Sequence, residues 1–205
     1  MRSRCDTPTV KIAAMQTLSI SAPTRQQYFQ ELTAASDQSP NSIWLAQIIA
    51  SWLVGNSVLP DALGLSSQQF QQLLAEKFPG FYVSSFAPSG YTADFSRMQE
   101  KQDLEKLLGQ HCVTHDLAPE YWITILVAAC LGNDHLWQDL GLWSRDDLTA
   151  LLKYNFPSLA SLNCHDMKWK KFIYKMLCDA EGIYVCRAPS CEFCQDYLNC
   201  YGDED

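Results

Sequence analysis

The sequence predicts an all-α protein, made of two sequence-related helical units followed by a cysteine-rich metal-binding loop at the carboxyl end. Three observations carry this expectation. Apolar residues recur at spacings of three and four, and no segment sustains the alternating pattern of a half-buried strand. A block of the middle of the chain repeats itself at an offset of 77. Four cysteines crowd into the last twenty residues.

Residues 1–40 are expected to form a poorly structured N-terminal segment. The helical domain then runs over 41–184, with copies at about 41–110 and 119–184 and the cysteine tail at 185–205. Ile48-Ile49-Ala50-Ser51-Trp52-Leu53-Val54-Gly55-Asn56 aligns with Ile125 through Asn133, and Leu63-Gly64-Leu65 aligns with Leu140-Gly141-Leu142. Trp143 is one extra residue. Beyond it Ser66, Phe70, Leu73, Leu74, Phe78 and Pro79 face Ser144, Leu148, Leu151, Leu152, Phe156 and Pro157.

Each copy opens with an apolar helix, about 41–54 and 119–131, closed by a Gly-Asn pair suited to a left-handed cap. A loop ending in Leu-Gly-Leu leads to a second helix capped by Ser66 or Ser144 and stopped by Pro79 or Pro157. A third helix is expected near 94–110 and again over 166–180. Residues 80–93, rich in Gly, Pro and Ser, read as a linker.

Composition excludes several function classes. A net charge of −8 and a pI near 4.9 argue against binding nucleic acid or an anionic membrane surface. The most apolar stretch, Trp122 to Leu131, is about half of what a bilayer requires. The amino terminus lacks the apolar core of a secretory signal, and nine cysteines without one point to a reducing cytoplasm. No phosphate-binding glycine loop or nucleophile elbow is present.

The tail reads Cys186-x4-Cys191-x2-Cys194-x5-Cys200. Thiolates this close repel one another and oxidise readily unless a soft metal or a metal–sulfur cluster neutralises them. Structural zinc sites usually join two short knuckles across a spacer of about 12 to 20 residues. This run has one pair flanked by single cysteines, which favours an iron–sulfur cluster, with zinc and then disulfides as the alternatives. The tail is too polar to fold alone and is expected to order on metal binding.

On a wheel of about 100° per residue, Trp169, Phe172, Ile173, Met176 and Leu177 form one arc of the helix before the tail. Lys168, Lys171 and Lys175 form the opposite arc, with Cys178 beside them. An ordinary solvated face is the simpler reading. The functional one has these lysines facing an oxyanion such as molybdate or offsetting an anionic cluster, with Cys178 as an extra ligand. His111 and His115 share a helix spacing but lack the glutamate of a metalloprotease, and His135 and His165 read as loop residues.

The run Asn133-Asp134-His135-Leu136-Trp137-Gln138-Asp139-Leu140-Gly141-Leu142, the Phe156-Pro157 stop, Asp166-Met167-Lys168-Trp169-Lys170-Lys171-Phe172 and the four-cysteine tail together resemble the NifQ family. The likeness is strongest over 120–202. It implies a carrier, not a turnover enzyme, that serves assembly of the nitrogenase iron–molybdenum cofactor. On that resemblance the cofactors are an iron–sulfur cluster and molybdenum, held by Cys186, Cys191, Cys194 and Cys200. The implied partners are molybdate or a molybdenum–sulfur species, the NifEN scaffold and the nitrogenase iron protein NifH. A zinc-stabilised helical adaptor that binds another protein is the alternative.

Overall fold

A computed structural model describes residues 22–81 and 90–181 of the chain. Among the described residues the regular elements are all helical. In chain order they are α1 (Arg25–Ala35), α2 (Pro40–Leu53), a 3-10 turn (Asp61–Gly64), α3 (Ser67–Lys77), a second 3-10 turn (Phe95–Arg97), α4 (Lys101–His111), α5 (Pro119–Ala129), α6 (Leu136–Leu140), α7 (Arg145–Asn155), α8 (Pro157–Leu162) and α9 (Trp169–Glu181).

Two helices form the centre, and their sequences say why. In α2 the run from Trp44 to Trp52 is buried throughout, and in α5 so is the run from Ile125 to Ala129. A helix apolar on every face has to be wrapped by others. Helix α1 packs on α2, α4 packs on α5, α7 reaches α2, and one apolar core runs through all of them. Each Leu or Ile fully buried there contributes roughly 1.5–3 kcal/mol.

The helix starts follow local chemistry. Ser66 accepts a hydrogen bond from the Gln69 amide at 3.2 Å, while the Gln69 side chain accepts from the Ser66 amide at 3.1 Å. Ser144 accepts from the Asp147 amide at 3.1 Å. Each cap satisfies a donor that the first turn would otherwise leave unpaired. Both second helices end on a phenylalanine of nearly the same backbone, Phe78 at φ −135°, ψ 58° and Phe156 at φ −135°, ψ 54°.

Four details differ from the sequence expectation. Poor structure before residue 41 does not extend to 25–35, because Thr24 and Gln27 form a full capping box and Leu32 inserts into the core. The two Gly-Asn ends are not alike: Gly55 is left-handed at φ +75°, whereas Gly132 is absent from the positive-φ residues and follows α5 in a tight turn, its amide donating to Ala129 O. The Leu-Gly-Leu loops hold short helical pieces, since Leu59 and Leu136 anchor them in the core. Pro157 not only ends α7 but starts α8, a first-turn position that needs no amide hydrogen.

The halves also touch at corresponding points. Gly64 (φ +85°) backs onto Ala128, so that a Cβ there would lie 3.0 Å from the alanine Cβ. Gly141 (φ +83°) backs onto Ser51, where the same construction gives 2.7 Å. The Ser51 hydroxyl donates to Gly141 O at 2.5 Å. At the other end of the units, Lys77 closing α3 reaches Asp116 ahead of α5, and Asn155 closing α7 reaches Asn41 at the start of α2.

Candidate functional site

Cys186, Cys191, Cys194 and Cys200 lie outside the described residues. The structure describes the helix that leads to them. In α9, Trp169, Phe172, Ile173, Tyr174 and Leu177 are buried and Met176 is partly so, a face wider than the expected arc by Tyr174. Lys168 and Lys175 are exposed, and Lys171 and Cys178 are half-buried between them. The lysines and Cys178 thus share the outward stripe of α9.

The chain enters α9 through a dense set of polar ties. Arg145 donates to both carboxylate oxygens of Asp166 at 3.0 and 2.7 Å and to Asp166 O at 2.8 Å. Asp166 itself holds a left-handed φ of +51°, a conformation its short polar side chain tolerates. Asn163 and Met167 bond reciprocally at 2.9 and 3.0 Å. The Trp169 indole donates to the Thr149 hydroxyl at 2.9 Å, across to α7.

Lys170 goes further. Its ammonium donates to Gly132 O at 3.0 Å, to Asp134 O at 2.9 Å and to the Asp139 carboxylate. Three donors meet three acceptors, so the ammonium is satisfied. The Asp139 side chain is 1% exposed and that of Lys170 13%. Burial pushes the Asp139 carboxyl up, and the charge and hydrogen bond of Lys170 work against that push. Gly132 lies so close that any side chain there would overlap the Asp139 carboxylate.

Sequence reading missed this pair, yet two signals were present. On the α9 wheel Lys170 falls about 100° away from Lys171, beside Leu177 and off the lysine stripe. In the expected repeat Asp139 aligns with the uncharged Ala62. Just beneath, Cys130 is wholly buried, and desolvation pushes its thiol up to about 11.

The remaining ligand types have structural partners. His111 Nδ1 lies 2.8 Å from the Ser158 hydroxyl, and His115 Nε2 lies 2.9 Å from Tyr154 O with its ring stacked on the tyrosine at 4.1 Å. These two rings join α4 and the following loop to α7 and α8. His135, at the start of α6, and His165 are exposed. Burial raises Cys112 to about 11, while Cys164 is exposed. Among the described residues no three His, Cys, Asp or Glu side chains converge in a way that could hold a metal ion. Nor is any described helix long and apolar enough to cross a membrane.

The described residues therefore form an all-helical fold whose last helix precedes, in the sequence, a four-cysteine segment. The NifQ family profile matches residues 44–202. The chain is 41% identical over 174 residues to Protein NifQ of Azotobacter vinelandii, an alignment covering 80% of this chain and 89% of that one. It is 36% identical over 148 residues to a NifQ homolog of Sinorhizobium fredii, covering 72% of this chain and 64% of that protein. To Protein NifQ of Klebsiella pneumoniae it is 32% identical over 164 residues, covering 77% and 96%. The chain belongs to the NifQ family. No solved structure matches it.

Proposed function

We propose that this protein carries molybdenum in an iron–sulfur environment and donates it to assembly of the nitrogenase iron–molybdenum cofactor. One observation carries the reading: the matched region runs to residue 202 and so includes all four tail cysteines. Cys186, Cys191, Cys194 and Cys200 supply soft, anionic ligands to the Mo–Fe–S cargo. Cys186 stands five residues beyond Glu181, and extended chain therefore keeps it within about 18 Å of the end of α9. Carriage on a short tether suits release better than a closed cage inside the core would.

Two of the described cysteines are poor competitors for the cargo. Cys112 and Cys130 stay protonated at neutral pH because burial raises both thiols to about 11. The stripe of Lys168, Lys171 and Lys175 leads toward the tail and is the cationic surface over which an oxyanion such as molybdate approaches, in a chain of net charge −8. The protein acts as a donor without catalytic turnover, in the cytoplasm, and hands its cargo to NifEN with the participation of NifH.

The scaffold is best read as a duplicated unit. The reciprocal Gly64–Ala128 and Gly141–Ser51 contacts pair corresponding positions of the two halves, as a pseudo-two-fold axis would. Since α4 packs on α5 as α1 packs on α2, each unit begins at α1 or α4 instead of trailing a third helix.

Serine replacement of the four tail cysteines tests the function. Nitrogen-fixing cells carrying that variant should grow poorly when molybdenum is limiting and recover when it is abundant. Unimpaired growth under limitation overturns the reading.

A further inference from the structure

We propose that Lys170 and Asp139 form a latch that positions α9, and through it the metal-binding tail, on the scaffold. The inference deepens the proposed function and rests on it. Helix α9 is the last described element before the tail, so its rotation and tilt decide which way the lysine stripe faces and where the chain leaves the scaffold. Polar ties that set this orientation stand at its start, from Asn163 to Lys170. Further along, Phe172, Ile173, Tyr174 and Leu177 are buried against the core, and such apolar contacts are non-directional.

Lys170 supplies the direction. Its three acceptors come from one loop, Gly132 to Asp139, which curls around the ammonium. That loop is built for the purpose. Residue 132 has to be glycine to clear the Asp139 carboxylate, and the Asp134 amide lies 3.4 Å from the second carboxylate oxygen. The corresponding loop of the first unit has Ala62 in place of Asp139 and Val58 in place of His135. At this one loop position the half that carries the tail therefore bears a buried charge where the other has alanine. A buried ion pair is weak evidence of stability, and fixing register is its best-attested use. Lys170 is accordingly a positioning residue, acting on the tail through α9.

The test uses the full chain in three forms: wild type, Lys170→Met, and the double variant Lys170→Met with Asp139→Asn. The single variant strands a buried carboxylate and serves as the destabilised reference. The double variant removes both charges, and its new amide can donate to Gly132 O or Asp134 O, so the scaffold should fold. Hydrogen exchange, and EPR with metal content after anaerobic reconstitution with iron, sulfide and molybdate, are the readouts. In the double variant, exchange over 171–181 should quicken at least about tenfold while α2 and α5 keep their protection. Its EPR spectrum should change, and an added small-molecule dithiol should strip its molybdenum about tenfold faster or more, the scale of outer-sphere effects on metal sites. Unchanged exchange in α9 overturns the latch. Faster exchange with an unaltered spectrum and stripping rate overturns its positioning role. A wild-type protein that takes up neither iron nor molybdenum overturns the carrier reading and this role together, and the wild-type arm alone identifies that case.

Discussion

Lys77 ends α3 with its side chain 4% exposed, facing Asp116 at 3.0 Å and Asp37 at 3.8 Å. Asp116 also accepts from the Ser39 hydroxyl and, at 2.6 Å, from the Asn41 amide, whose oxygen takes the Trp122 indole at 3.2 Å and Asn155 at 2.7 Å. Lys77→Met would leave Asp116 without its counter-ion. The loss should be about 2–3 kcal/mol in urea unfolding, below the roughly 3–5 of a wholly buried pair because the Ser39 and Asn41 bonds survive. The same cluster sets an acid limit. Burial acts to raise Asp37, but hydrogen bonds from Ser42 and Ser39 and the charge of Lys77 outweigh it and hold the carboxyl at about 2. Asp116 is likewise lowered, against its own burial, by Ser39, Lys77 and Asn41. Both folded values lie below the unfolded ones, so their stabilisation is complete above the ordinary carboxylate range of about 4 and is lost as pH falls toward 2. Thermal unfolding followed from pH 6 to 2 should show wild type losing more stability than an Asp116→Asn variant. Thiol chemistry gives a second check at this scale. With Cys130 at about 11, its thiolate at pH 8 is about one part in a thousand, so iodoacetamide should label Cys164 and spare Cys130 in the native protein.

At the scale of elements, the close approach of the halves depends on two glycines. Gly141→Ala combines a left-handed φ of +83° with a Cβ placed 2.7 Å from Ser51 and 3.0 Å from Ser57. It should cost about 2–3 kcal/mol, and Gly64→Ala, at 3.0 Å from Ala128, somewhat less. Chemical denaturation of the two variants orders them, and a neutral Gly141→Ala would contradict the packing. These elements also mark how far the sequence could be read. The capped starts at Ser66 and Ser144, the Phe-Pro ends and the apolar arc of α9 are local signals, written within a turn or two of chain, and the helices follow them. Helix α1 was missed because its buried face is thin: Leu32 is fully buried, while its glutamines face solvent. The short helix α6 and the left-handed Ala62 and Leu63, at φ +58° and +60°, depend on burial against distant residues that no local pattern records. Lys170 was missed for the same reason, since its acceptors lie 31 to 38 residues away. The four tail cysteines are proposed from their spacing, which is itself a local signal, and they lie outside the described residues.

At the scale of the whole molecule, the core formed by α2, α5 and their neighbours is continuous among the described residues. Stripping metal from the tail with a chelator should therefore leave the helical signal intact and shift the melting temperature by no more than about 2–4 °C, the effect of roughly 1 kcal/mol in a chain of this size. A structural zinc site would instead take much of the fold with it.

Metal and sulfide quantitation with EPR on anaerobically isolated protein tests the carrier claim most directly. Iron, acid-labile sulfide and molybdenum should all be present in the wild type, with a paramagnetic signal, and all should be lost when Cys186, Cys191, Cys194 and Cys200 are replaced by serine. A colourless protein holding one zinc, or one whose iron and molybdenum survive those replacements, would contradict the account.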